Sequence, residues 1–424
     1  MSLNRELFNF INTSPCAFYT VKSVKDILNK NGYTELYEGE RWELREGGKY
    51  FAIRNGTSLI AFRYNSSARS FMICASHSDS PAFRVKLSLE KGGKYAVCDT
   101  EKYGGMIYYS WLDRPLSLAG RVLARTDGGI ESRLVNIDKD LFVIPSVAIH
   151  LNRNVNSSLE LNPARDLLPL ASLADGKGSL LNLISESAGV KTDSIISHDL
   201  FLYVREAGRE FGVNGEFIIS PRLDDLECVF ASLKGFLDAS DTKNIPVLAV
   251  FDNEEVGSET KQGAASTFLY DTLSRIKEDY LLSLSESFMV SCDNAHALHP
   301  NRPELSDAEN APLLNGGIVI KYNANQRYTT DGVSDAIFSE ICKNCGAKTQ
   351  RYYNRADIVG GSTLGSIATT RVSLNTIDIG LAQLAMHSAV ETAGARDVSE
   401  MVKALTEFYS SYITKKGEKI QIMK

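Results

Sequence analysis

Apolar residues recur at helical spacing near the start of the chain. Val21, Val24, Ile27 and Leu28 fall on one stripe and Gly32 supplies a stop, so a helix is expected there. A hairpin is expected next, from Tyr50 to Arg54 and from Ser58 to Tyr64. Its turn is Asn55-Gly56, a pair that accepts positive φ at both central positions. Phe71 to Ala75 is apolar without interruption, the pattern of a strand buried on both faces. After Ser220-Pro221 the two periods alternate. Leu226, Val229, Leu233 and Leu237 predict a helix, Ile245 to Phe251 a buried strand, and Leu269, Leu273 and Ile276 another helix. Phe288 to Cys292 and Val372 to Ile379 read as strands. Val398, Met401, Val402, Leu405 and Tyr409 read as a closing amphipathic helix.

Between about Lys94 and Phe217 the texture differs, with short β-rich runs, the pairs Gly104-Gly105 and Gly128-Gly129, and few helical stripes. The alternation outside this stretch predicts an α/β fold, with a mostly parallel sheet flanked by helices. The expected organisation is one discontinuous α/β domain over 1–90 and 219–424, with a β-rich module over 91–218 inserted into it.

Composition narrows the function classes. The chain has 424 residues, 43% of them hydrophobic, and a net charge of −6, so a large core is affordable and no basic surface suggests a nucleic-acid or membrane partner. No stretch reaches the ~18 apolar residues of a membrane span. The start Met1-Ser2-Leu3-Asn4-Arg5-Glu6 has no signal pattern, from which a cytoplasmic location is expected. The seven cysteines are scattered, against a disulfide framework. Cys342-x-x-Cys345 falls in a helical run ending at Gly346 and reads as structural.

The residues suited to chemistry gather at the ends of expected strands. His77 follows the apolar run in Ser76-His77-Ser78-Asp79, where positions i and i+2 of an extended chain share a face and let Asp79 orient the imidazole. Asp252, Glu254 and Glu255 follow another buried strand, three acids in four residues that must be either solvated or neutralised by a cation. Asp293 closes a third strand. Asp224-Asp225 opens a helix, where capping is the plain alternative, and His387 follows the segment ending Leu384-Ala385-Met386. Each signal is weak alone. Together His, Asp and Glu form the ligand set of catalytic zinc and related divalent ions. Two ions bridged by a carboxylate need about five ligands and one free carboxylate base, which this set supplies.

These residues and their surroundings resemble the M18 metallopeptidases, which include aspartyl aminopeptidases. The resemblance runs from Asn9–Pro15 to beyond Met386-His387-Ser388. It includes, in the family order, Ser76–Pro81, Ser220–Leu226, Phe251–Ser258, Asp293–Asn301, Lys321–Tyr328 and Gly361–Gly365. It implies a zinc-peptidase-like fold whose inserted domain serves dimerisation. It also implies two divalent ions per subunit, zinc first with cobalt or manganese as alternatives. His77 and Asp293 would be terminal ligands of one ion, Glu255 and His387 of the other, and Asp224 the bridge. Glu254 would be the general base that takes a proton from the bridging water, with Asp79 orienting His77. His150, within the insertion, matches a histidine lent to a neighbouring subunit. Lys321 and Tyr328 match substrate-pocket residues, with His296 beside them, and a lysine there suits an acidic substrate side chain. Asp225, Asn253 and Asn294 stand where the family often has Asn, His and Met, and Ser366 and Ala382 replace frequent prolines. None of these changes removes a ligand.

The activity this implies is removal of N-terminal residues, preferably Asp or Glu, from peptides with a free α-amine, by a homo-oligomer expected to be a dodecamer built from dimers. A metal-dependent deacylase of N-acyl amino acids and a non-catalytic scaffold that keeps the fold are the competing readings.

Overall fold

The computed structural model describes residues 2–424. The chain divides into two compact units. The first comprises 2–79, 208–386 and 391–424, and the second 80–207 with 387–390. From the sequence, the exchanges between the domains are expected at 90/91 and 218/219. In the structure the strand Ala82–Lys91 pairs with Tyr95–Tyr103 and Ile195–Val204 of the second unit. Arg209–Phe211 and Phe217–Ser220 pair with each other, and the latter also pairs with Glu391–Gly394, all in the first unit.

The first unit is built on a nine-stranded sheet. Its four central neighbours, Asn244–Phe251, Ser70–His77, Phe288–Cys292 and Asn375–Gly380, run parallel. Ser58–Arg63 flanks them antiparallel on one side and Ile318–Tyr322 on the other. The continuous apolar run follows from this position. Met72 and Cys74 pack into one helical layer, while Phe71, Ile73 and Ala75 pack into the opposite one. The helix Leu223–Asp238 buries Leu226, Leu233 and Phe236 in the first layer, against Val398, Leu405 and Tyr409 of the closing helix Asp397–Tyr409. Each such side chain contributes about 1.5–3 kcal/mol by leaving water. The hairpin forms where Asn55-Gly56 placed it, with φ of 58° and 76° at the turn. Cys342 and Cys345 lie on the helix Gly332–Cys345. Burial pushes both thiols up, so neither is poised to react.

A five-stranded sheet of very short strands, absent from the sequence expectations, completes the unit. It joins Arg209–Phe211, Phe217–Ser220, Glu391–Gly394, Ala382–Leu384 and Ala295–His296. The second unit is a six-stranded sheet whose strands all pair antiparallel, with the helix Ser179–Ala188 beside it. Among the described residues no helix is long and apolar enough to cross a membrane.

Candidate metal centre

Register decides what meets at the carboxyl end of the large sheet. Phe251 is paired with His77, and Ser291 with Ala75, so Asp252 to Glu255 and Asp293 emerge beside the imidazole. This is where open α/β sheets place their ligands. His77 is fully buried. Its Nε2 lies 3.4 Å from Asp224 Oδ1 and 3.8 Å from Asp293 Oδ1, and its backbone N–H donates to Asp225 Oδ2 at 3.0 Å. On the other ring nitrogen, Nδ1 is 3.1 Å from the carbonyl oxygen of Asp79 and 3.4 Å from its carboxylate.

Asp224 and Asp225 sit in the first turn of Leu223–Asp238 with non-helical backbone, (φ, ψ) of (−81°, 108°) and (−117°, 19°). The N-cap is Arg222, without a side-chain cap bond. The capping alternative therefore fails, and these acids turn inward, both buried. The N–H of Asp224 donates to Glu391 Oε2 at 3.0 Å, an anchor on a four-residue strand that no sequence period announces.

Glu254 and Glu255 occupy a 3-10 turn, Glu254–Val256, entered through Asn253 at φ 63°. Asn253 Oδ1 accepts from Thr260 Oγ1 and Gln262 Nε2, both at 2.8 Å, which fixes the turn from behind. In front, the carboxylate of Asp79 receives the N–H groups of both glutamates.

One ligand atom each from His77, Asp224, Asp225 and Asp293 can be chosen within 4.8 Å of one another, and likewise from His77, Glu254 and Glu255. His77 Nε2 is buried without a hydrogen-bond partner among the described residues, with carboxylate oxygens of Asp224 and Asp293 at 3.4 and 3.8 Å. A buried imidazole nitrogen ringed by carboxylate oxygens is the donor set of a divalent cation, so the residues present fit one.

The electrostatics point the same way. Burial would lower the His77 imidazole, but Asp225, Asp224, Asp293 and Asp79 reverse this and hold it well above its ordinary value. Burial pushes the Asp225 carboxyl well up. Burial, reinforced by Asp293, Asp79 and Asp224 against the pull of His77, pushes Glu254 up to about 8. A carboxyl in that range is matched to proton transfer near neutrality.

Lys321 is 2% exposed. Its Nζ donates to the backbone oxygens of Asp293 (2.7 Å) and Asn294 (3.3 Å), and lies 3.5 Å from Asp293 Oδ2 and 5.2 Å from the centre of the Tyr328 ring. Tyr328 is buried and His296 exposed. Both rings pack on Tyr352, at 6.4 and 6.2 Å between centroids. Tyr352 carried no sequence signal, being one more aromatic on a strand. His150 and His387 belong to the second unit. His150 is exposed in a turn flanked by the exposed Ile149 and Leu151, and His387 places Nδ1 2.8 Å from the Gly105 carbonyl oxygen, at φ 65°.

The model of the aminopeptidase I zinc metalloprotease family, M18, matches residues 10–409. A protein of Clostridium acetobutylicum described as a probable M18 family aminopeptidase 2 is 43% identical, with 96% of this chain and 98% of that protein aligned. A solved structure of the Ape4 and Nbr1 complex superposes with a TM-score of 0.93 at 32% identity, covering 96% of this chain and 85% of that one. The S. cerevisiae mApe1 dodecamer gives a TM-score of 0.85 at 28% identity, covering 96% of each chain.

Proposed function

The chain belongs to the M18 family of zinc metallo-aminopeptidases, and from that premise we propose that it works with two divalent ions, zinc first, and prefers acidic N-terminal residues. His77 and Asp293 would hold one ion and Glu255 and His387 the other, with Asp224 as the carboxylate they share. What supports this most is the approach of Asp224 and Asp293 to His77 Nε2 at 3.4 and 3.8 Å, brought from three distant parts of the chain. Bound there, the ions would supply Lewis acidity towards the first peptide carbonyl and lower the pKa of water.

The chain's own groups carry the rest. Glu254, half-buried and with its carboxyl pushed up, accepts a proton from the attacking water and returns it to the departing amine. Asp79 keeps His77 and the Glu254–Glu255 turn in register. Lys321, with Tyr328 and His296 nearby, supplies the positive charge for an acidic side chain. His150 completes a neighbouring subunit's site within a homo-oligomer acting in the cytoplasm, a dodecamer built from dimers; mApe1 was solved as a dodecamer.

The deciding experiment compares free and N-acetylated Asp- and Leu-peptides before and after chelation. Cleavage of free peptides only, lost on chelation and restored by zinc, is the expected result. Cleavage of the acetylated set would establish the deacylase instead, and no cleavage by metal-replete protein would establish the scaffold.

A further inference from the structure

Asn294 follows Asp293 and is 3% exposed. Its side-chain Nδ2 donates to the carbonyl oxygen of Leu223 at 3.0 Å, the carbonyl immediately before Asp224, and stands 3.3 Å from Gln383 Oε1 and 3.5 Å from Glu227 Oε2. Its Oδ1 accepts from the Leu381 N–H (3.3 Å) and from Cys228 Sγ (3.2 Å), one turn beyond Asp224 on the same helix. One planar amide thus uses its donors and its acceptor together. It joins the residue after Asp293 to the peptide before Asp224. Lys321 grips the Asp293–Asn294 backbone as well. Gly380 closes against it so tightly that a Cβ there would fall 2.0 Å from the Asp293 carbonyl oxygen.

A hydrocarbon side chain could fill this place without the desolvation cost of an amide. The amide touches none of the imidazole or carboxylate groups of the candidate metal centre. Its bonds run to the helix that carries Asp224 and to Leu381 and Gln383 beside it. We infer that Asn294 is a positioning residue that sets the separation of the Asp224 and Asp293 carboxylates, and through it the metal affinity of the His77 site. The inference rests on the proposed metal centre.

Cobalt(II) titration of the metal-free protein, followed by its visible spectrum, separates the two claims. The parent should bind two ions per chain. Asn294→Leu should bind one as the parent does and the other about 10–100-fold more weakly, the usual cost of losing a group behind a ligand, with an altered d–d spectrum. Gln383→Leu, which removes a partner of the Asn294 amide, should shift the same ion by less and decides the matter alone if Asn294→Leu does not fold. Variants that titrate with the parent's affinities and spectrum overturn the inference. So does an equal loss of both ions accompanied by a lower melting temperature of the metal-free variant, which marks a merely structural role. A parent that takes up no cobalt overturns the metal centre itself, and the inference with it.

Discussion

Asp79 and Glu254 are joined through the main chain: the Glu254 N–H donates to Asp79 Oδ1 at 3.2 Å, and the Glu255 N–H takes Oδ2 at the same distance. The same carboxylate lies 3.4 Å from His77 Nδ1, so one side chain couples the imidazole to the turn that carries both glutamates. Asp79→Asn can offer only one oxygen to two N–H groups and must turn an NH2 towards the other. A fall in kcat of about 10–100-fold is expected, with weaker metal retention. Steady-state kinetics and metal analysis of the purified variant check this. Parent-like values for both would remove Asp79 from the machinery.

Glu254→Gln keeps the volume and removes the proton acceptor. Hydrolysis should fall by about 10²–10⁴-fold while the metal content stays that of the parent. If metal is lost as well, Glu254 is a ligand rather than the base.

Lys321 also holds the Asp293 backbone, so Lys321→Ala should slow every substrate. The informative quantity is the ratio of kcat/KM for Asp- over Leu-peptides, which should drop about tenfold if one well-placed charge contact worth about 1.4 kcal/mol carries the preference. An unchanged ratio would end the acidic-preference proposal.

His150→Ala should be inactive yet assemble as the parent does. Mixed and reassembled with Glu254→Gln chains, it should recover activity, because each chain then supplies what the other lacks. Light scattering of the mixture and a peptide assay test this together, and an active monomer would refute it.

Asp397 is buried and accepts the N–H groups of Asn315 and Gly317 at 2.7 and 2.8 Å. Burial pushes its carboxyl up to about 6 from 3.8. Between those values the folded chain keeps a proton that the unfolded chain has released. The contribution of this group to stability therefore falls as pH rises from about 4 to about 6, and is level above that. Urea unfolding of metal-free protein should show the stability of the parent relative to Asp397→Asn declining over that range and then flattening. A rise over that range would contradict the assignment.

Much of the large sheet is legible in the chain because its central strands are apolar on both faces, as Phe71 to Ala75 shows. The site is legible only as scattered hints. His77, Asp224, Glu255 and Asp293 each sit at the end of a periodic element and so stand out. Their meeting depends on strand order and register, such as Phe251 against His77, which local patterns do not carry. Glu391 and Gln383 stayed hidden because strands of three or four residues have no period to read. Asn294 is visible as a departure from the family pattern, but its bonds to Leu223 and Leu381 exist only once helix and strands are assembled.

The strand Ser70–His77 lies between Asn244–Phe251 and Phe288–Cys292, both encoded far downstream. On the ribosome it emerges long before either neighbour, as an apolar ribbon with two open edges, and stays so while the whole 80–207 segment is translated. Such ribbons recruit foreign strands. Slowed elongation between residues 80 and 244 should therefore cost yield more than slowed elongation near the C-terminus.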